Sequence, residues 1–318
     1  MKIFLIVLCF VSQLFAVPVT IPSGANATWV SQKLQEKGII KSPRLFYLYL
    51  RTNKLSTQLH TGDFDIPAGG SYKDISDILI GKKQQFISVT IPEGFTINEI
   101  ASRLEKKAII SSAADFLTYI QQQPSSTINP LLSKETIQSF EGILFPDTYY
   151  FSKNSSFNTV YRAFIKRFND VFLTEYQNTS SPKLPFYDTL ILASIIEKEA
   201  GTISEMPIIS GVFHNRLRKR MYLASCPTVG YAMGQPRKTS LTYKDLEVKS
   251  PYNTYKNKGL PPSPIASPGK RAFKAALNPD KTPYLYFVSK NDGSGTHIFS
   301  LTLNEHLRNQ KKILSKTN

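Results

Sequence analysis

The chain has 318 residues, 41% hydrophobic and 12% aromatic, enough apolar material for two domains and too much for a disordered protein. Its 39 Lys and Arg against 23 Asp and Glu give a formal charge of +16, a balance that favours polyanionic partners such as anionic lipid headgroups or an acidic wall polymer. No zinc-finger, RNP-like or basic-helix pattern accompanies the charge, so nucleic acid is not an expected partner.

The first element is the segment MKIFLIVLCFVSQLFA, with an early Lys2, an apolar run and a small Ala16. This is the pattern of export machinery, and residues 1–17 are expected to be a signal peptide or a membrane anchor. The apolar run is shorter than the ~20 residues of a comfortable membrane span, which favours a cleaved signal with an uncleaved anchor as the alternative. Cys9 follows Leu8, a poor residue before a lipidated cysteine, and a processed chain keeps only Cys226. An intramolecular disulfide is then impossible.

A repeat follows. VTIPSG at 19–24 returns as VTIPEG at 89–94, and the match continues with Val30 and Ile100, Leu34 and Leu104, and Ser42 and Ser112. A third, partial copy, DIPAGGSYKDISDIL, spans 65–79. Each copy reads Ile-Pro-x-Gly, then apolar residues at the spacing of one helical face: a short strand, a turn that Gly permits, and a small helix. The repeat is either a structural α+β unit or a glycan-binding one; it resembles the βααβ LysM-like domain, which binds cell-wall polysaccharide. Residues 18–86 are read as an N-terminal α+β module and 87–128 as a LysM-like repeat. Trp29 and Tyr72 can either stack on sugar rings or pack in the core.

From residue 129 the pattern changes. TVYRAFIKRFNDVFLTEY sets Val160, Phe164, Phe168, Val171 and Phe172 on one apolar stripe. The next helix, LILASIIEKEAG at 190–201, has Asp188 as its expected N-cap and ends in two glutamates one residue apart. Leu192, Ile195, Ile196 and Glu199 share one face, whereas Glu197 points about 200° away, so the two carboxylates do not form a dyad. Glu197 is expected at the surface. A carboxylate on an apolar face should have a raised pKa, as a general acid needs, and periodicity alone leaves Glu199 open between that role and a structural ion pair.

Downstream, Ser204 and Pro207 open a helix with Val212, Phe213 and Leu217 on its buried side. Asn215 and Arg216 are candidates to offer hydrogen-bond donors to a polar ligand, although an arginine at a helix end can simply satisfy carbonyls. SPYNTYKNKGLPPSPIASPG at 250–269 is a long aromatic loop in which Tyr252, Asn253 and Tyr255 suit a sugar, or else serve the loop itself. YLYFVSKNDGSGTHIFS reads as a β-hairpin with His297 beside it. His60, His214, His297 and His306 show no metal-ligand spacing, so neither a metal nor a cofactor is expected.

The ordered motifs EGILFPDTYY, LASIIEKEAG, GVFHNRL, SPYNTYKNKGLPPSPIASPG and YLYFVSKNDGSGTHIFS resemble those of the MltG-type (YceG-like) endolytic murein transglycosylases. The resemblance implies an α+β chain with N-terminal LysM-like small α+β modules followed by a mixed α/β catalytic domain over 129–318. It further implies a lytic transglycosylase at the inner membrane facing the periplasm, acting on nascent peptidoglycan glycan strands beside cell-wall synthesis proteins. The family's catalytic glutamate, the second of Glu-x-Glu, falls on Glu199. Where the family has Gln-Ser-Asp-Pro-Thr this chain has Ala224 and Cys226 at the Gln and Asp positions, which removes polar groups. The alternatives are a non-catalytic peptidoglycan-binding scaffold and a hydrolase using Asp147 or Glu205 as a second carboxylate.

Overall fold

The computed structural model describes residues 16–81, 86–132, 137, 139–238 and 240–317. The expected signal or anchor over 1–17 therefore lies outside the described residues, its last two positions excepted. No helix among the described residues is long and apolar enough to cross a membrane. Helices and short strands intersperse along the chain, and the fold is α+β. The chain divides into two compact units. The first comprises Met1–Val89, Lys107–Ile109 and Thr148–Ser155, and the second Thr90–Lys106, Ile110–Asp147 and Ser156–Asn318.

The repeat becomes a repeated turn. Strand β1 (Ala16–Ile21) leads into α1 (Ala27–Glu36) and α2 (Pro43–Thr52); β2 (Gly62–Pro67) then pairs antiparallel with β1 and leads into α3 (Tyr72–Leu79). Strand β3 (Phe86–Thr90) leads into α4 (Ile97–Lys106) and α5 (Ala113–Gln121), and β4 (Thr148–Ser152) pairs with β3. Gly24, Gly69 and Gly94, at matching places, have φ of 83°, 78° and 75°, a left-handed turn that glycine takes without steric cost. Two residues on, Asn26 and Ser71 cap their helices, and Thr96 forms a capping box with Glu99, whose Oε2 accepts from the Thr96 amide at 2.8 Å. Val30 and Leu34, Ile75 and Leu79, and Ile100 and Leu104 are the buried pairs that each small helix contributes. Trp29 and Tyr72 pack against the first unit's core, with Tyr72 edge-on to Phe46.

In the second unit, α6 (Phe157–Phe168) passes through a π-helical turn (Asn169–Leu173) into α7 (Thr174–Gln177). The wider turn keeps Val171 and Phe172 inward after Phe168, and all five residues of the expected stripe are buried. Helix α8 (Phe186–Glu199) is buried on nearly every side from Phe186 to Ile196. Phe172 stacks on Phe273 at 4.3 Å, and Phe186 meets both Phe168 and Phe273, which fuses α6, α8 and α11 (Lys270–Leu277) into one aromatic core. The helix begins earlier than expected. Pro185 takes the N-cap place and Asp188 sits in the first turn, because Phe186 and Tyr187 are themselves core residues and proline's fixed φ starts the helix ahead of them. The remaining elements are α9 (Met206–Arg218), α10 (Cys226–Ala232), the antiparallel hairpin of β5 (Tyr286–Ser289) and β6 (His297–Ser300), and α12 (Leu303–Thr317).

Glu141 is only 1% exposed. Its Oε1 accepts from the Ile97 amide at 2.8 Å, which caps α4, and its Oε2 accepts from the Tyr231 hydroxyl at 3.4 Å. Burial outweighs these bonds and pushes its pKa from 4.5 up to about 7. A carboxyl with a raised folded pKa is harmless while protonated and costs stability as pH climbs from the unfolded value through the folded one. The Glu141→Gln variant, which keeps an oxygen for the Ile97 amide, should therefore lack about 3 kcal/mol of the parent's stability loss between pH 4.5 and pH 8. Urea unfolding of both proteins at the two pH values measures this difference.

Candidate functional site

Helix α8 assigns its late polar residues different tasks. Ser194 Oγ accepts from the Ile265 amide at 3.0 Å. Glu197, expected at the surface, is instead mostly enclosed: its Oε2 accepts from the Gly269 amide at 3.0 Å, at the start of α11, and burial with nearby Glu93 raises its pKa. The surface expectation fails because α11 packs along that face of α8, a neighbour that helical periodicity cannot announce. Lys198 Nζ reaches the Gly94 carbonyl at 3.4 Å. Glu199 faces the other way.

Glu199 is the last residue of α8, where the negative end of the helix dipole disfavours a carboxylate. Ser225 Oγ donates to its Oε1 at 2.6 Å, and the Cys226 amide also donates to it. Burial is the largest influence and raises its pKa; the Ser225 bond and the nearby His297 and Arg216 pull the other way. The residue as a whole is half-buried.

Arg216, near the end of α9, stands beside Glu199 while donating through Nε to the Leu285 carbonyl and through Nη1 to the Leu223 carbonyl, both at 2.6 Å. Its guanidinium lies 5.3 Å from the centre of the Tyr286 ring. Tyr255 is coupled to both Glu199 and Arg216, and its hydroxyl meets Cys226 Sγ at 3.1 Å. Tyr252 packs on Tyr231 with ring centres 4.9 Å apart, and its hydroxyl meets Ser263 Oγ at 2.6 Å.

The two asparagines are occupied elsewhere. Both hydrogens of the Asn215 amide go to backbone, to Thr282 O at 2.7 Å and Tyr284 O at 3.0 Å, and its Oδ1 accepts from Arg218. Asn253 is fully buried; its amide donates to Leu246 O and Val248 O, both at 2.9 Å, and its Oδ1 accepts from the Tyr255 amide. Neither has a donor left for a ligand. The structure thus brings Arg216 and Tyr255 to Glu199 and makes Asn215 and Asn253 the braces that hold neighbouring backbone.

Sequence reasoning passed over Ser225 and the pairing of His297 with Glu205. His297 Nδ1 lies 2.8 Å from Glu205 Oε2, and the His297 amide donates to Glu205 Oε1 at 3.0 Å. Both joins are long-range; the hairpin reading of His297 was the available signal. The two other candidate carboxylates are thus each engaged, Glu205 by His297 and Asp147 by Arg167 at 2.6 Å. A cavity of about 1040 Å³ opens elsewhere, along the His214 and Arg218 side of α9, and Glu199 does not line it.

One acid on a core helix, bonded by a serine and flanked by an arginine, a histidine and a tyrosine, is an arrangement to compare with known proteins. The model of the YceG-like family matches residues 19–312. The chain belongs to the YceG-like family. The endolytic murein transglycosylase of Bacillus subtilis (strain 168) is 35% identical over 313 residues, covering 95% of this chain and 86% of that protein. The enzyme of the same name from Streptococcus pneumoniae serotype 2 is 27% identical over 328 residues, covering 95% of this chain and 59% of its own length. A crystal structure of a YceG-like protein from Listeria monocytogenes is 33% identical, with a TM-score of 0.63, covering 93% of this chain and 99% of that one.

In this YceG-like chain an Asn215→Ala substitution should loosen α9 from the 282–285 segment and cost roughly 1–2 kcal/mol, because two partly buried carbonyls lose their donor. Thermal melts measure it. A side chain that served ligand binding would leave the melting temperature in place and weaken substrate affinity.

Proposed function

We propose that this chain is a lytic transglycosylase that cuts the bond between N-acetylmuramic acid and N-acetylglucosamine in nascent peptidoglycan strands and ends their elongation, with Glu199 as its single acid and base. The observation that carries the assignment of Glu199 is its setting: a carboxyl at the C-terminal end of a core helix, with burial raising its pKa and Ser225 bonded to one oxygen. Such a group holds its proton at a pH where an exposed carboxyl has lost it.

In the first step Glu199 gives its proton to the glycosidic oxygen as the bond from that oxygen to C1 of the muramic acid breaks. The sugar's acetamido group stabilises the oxocarbenium-like centre that results. Glu199, now a carboxylate, accepts the proton of the C6 hydroxyl while that oxygen bonds to C1. The product carries a 1,6-anhydro end, Glu199 is protonated again, and no water is consumed. Arg216 and the Ser225 hydroxyl support the carboxylate between the two transfers, and Tyr255 and Tyr252 give the glycan an apolar wall with hydroxyl groups.

Residues 129–318 are the catalytic part in this reading. The α+β segments before them, 18–86 and 87–128, are LysM-like modules that hold the same polymer, with the repeated Ile-Pro-x-Gly turn in their favour. The N-terminal segment places the chain at the inner membrane facing the periplasm, with wall-synthesis proteins as partners. A net charge of +16 suits both an anionic membrane and the wall.

Mass spectrometry of the products from glycan strands, with the full chain beside its Glu199→Gln variant, tests the reading. The parent should leave anhydro ends, and the variant should lose roughly 10²–10⁴-fold in rate with its fold intact. Reducing ends would mean hydrolysis, and uncut strands bound by the parent would mean a scaffold. With Glu199 as the acid, kcat/KM should fall as pH rises through its elevated pKa, since the protonated form is the one that reacts.

A further inference from the structure

The Glu199 carboxyl lies within electrostatic range of His297 on β6, a residue the mechanism above leaves without a part. Three constraints hold that imidazole. Glu205 grips it twice, through Nδ1 and through its backbone amide, at 2.8 and 3.0 Å. Both side chains are nearly inaccessible, 9% for His297 and 15% for Glu205. Phe287 meets the ring edge-on with centres 5.3 Å apart.

A backbone crossing sets the distance. Gly201, two residues after Glu199, lies so close to Gly295, two residues before His297, that a Cβ on Gly201 would overlap the Gly295 carbonyl oxygen. Gly295 itself has φ of 69°. The end of α8 and the entry to β6 are thereby locked together by main chain, with no side chain between them. A carboxylate bonded to one ring nitrogen fixes the orientation of an imidazole and turns its other nitrogen away from that carboxylate.

We propose that Glu205 and His297 form a positioning pair for Glu199: Glu205 orients the imidazole, and the imidazole stabilises the carboxylate Glu199 becomes after it protonates the leaving oxygen. The other groups facing Glu199 are Arg216 from α9, the Cys226 thiol and the Tyr255 hydroxyl. His306 on α12 stacks on Tyr286 and faces Arg216 in turn. Arg216 is held by two backbone carbonyls, whereas His297 is held by the Glu205 carboxylate. The inference rests on the reading of Glu199 as acid and base.

The test is the pH profile of kcat/KM on glycan strands for the full-length parent and its H297Q, H297K and E199Q variants. Loss of the imidazole's support for the carboxylate favours the protonated form of Glu199. In H297Q the alkaline limb should therefore move up by roughly 0.5–1 unit, and kcat should drop by about tenfold with KM changed less than about twofold. H297K, which places a cation beside Glu205, should bring the limb back toward the parent's, a rescue that a purely structural histidine would not show. Thermal melts accompany each variant, and H297N supplies the limb should H297Q lose the parent's cooperative transition. A limb unmoved in the folded variant overturns the inference while E199Q stays inactive. An active E199Q instead removes the underlying reading of Glu199.

Discussion

Everything in the second unit depends on a helix that is buried on nearly every side and still ends in an acid. Helix α8 packs against α11 and α9, with Phe186 inside the aromatic core, and so has no solvated face along which its charges can be distributed. The charged groups of its last turn must each find a protein partner there. Glu197 finds the start of α11 and Lys198 finds the Gly94 carbonyl. Glu199 finds Ser225 and a cationic neighbourhood. The same burial that stabilises the core therefore makes one carboxyl hard to ionise.

The loops that meet Glu199 are themselves knitted together. The Ala224 amide donates to the Thr254 carbonyl, the Ser225 amide to Thr254 Oγ1, and Thr228 Oγ1 meets Thr254 Oγ1 at 2.8 Å. This stitching fastens the segment from Ala224 to Thr228 to Thr254. Ser225 keeps its place because its own amide and that of Ala224 are both bonded to Thr254. Cys226 contributes its amide to Glu199 and its sulfur to the Tyr255 hydroxyl.

Local physics was legible in the chain, and long-range pairing was not. The repeated turn, the apolar pairs behind it, the stripe from Val160 to Phe172 and the hairpin around 286–300 all follow from patterns within a few residues. Glu199 was visible because its face of the helix is apolar for two turns. Glu197 looked solvent-facing for the same reason, since periodicity shows which side a residue takes and not what packs there. Asn215 and Asn253 have the composition of ligand contacts, yet their amides are spent on carbonyls as far as 69 residues away in sequence. Glu205 and His297 stand 92 residues apart, and only the folded chain brings them together.

The turn that opens the first helices has an evolutionary side. One left-handed glycine, a capping side chain two residues on and two apolar positions after that complete the unit, and each requirement is met within its own copy. A unit so self-contained can be duplicated whole without altering the residues that follow it. The spacing shared by Ile21, Ile66 and Ile91, each three residues before its glycine, is the trace of such a copied unit within this chain.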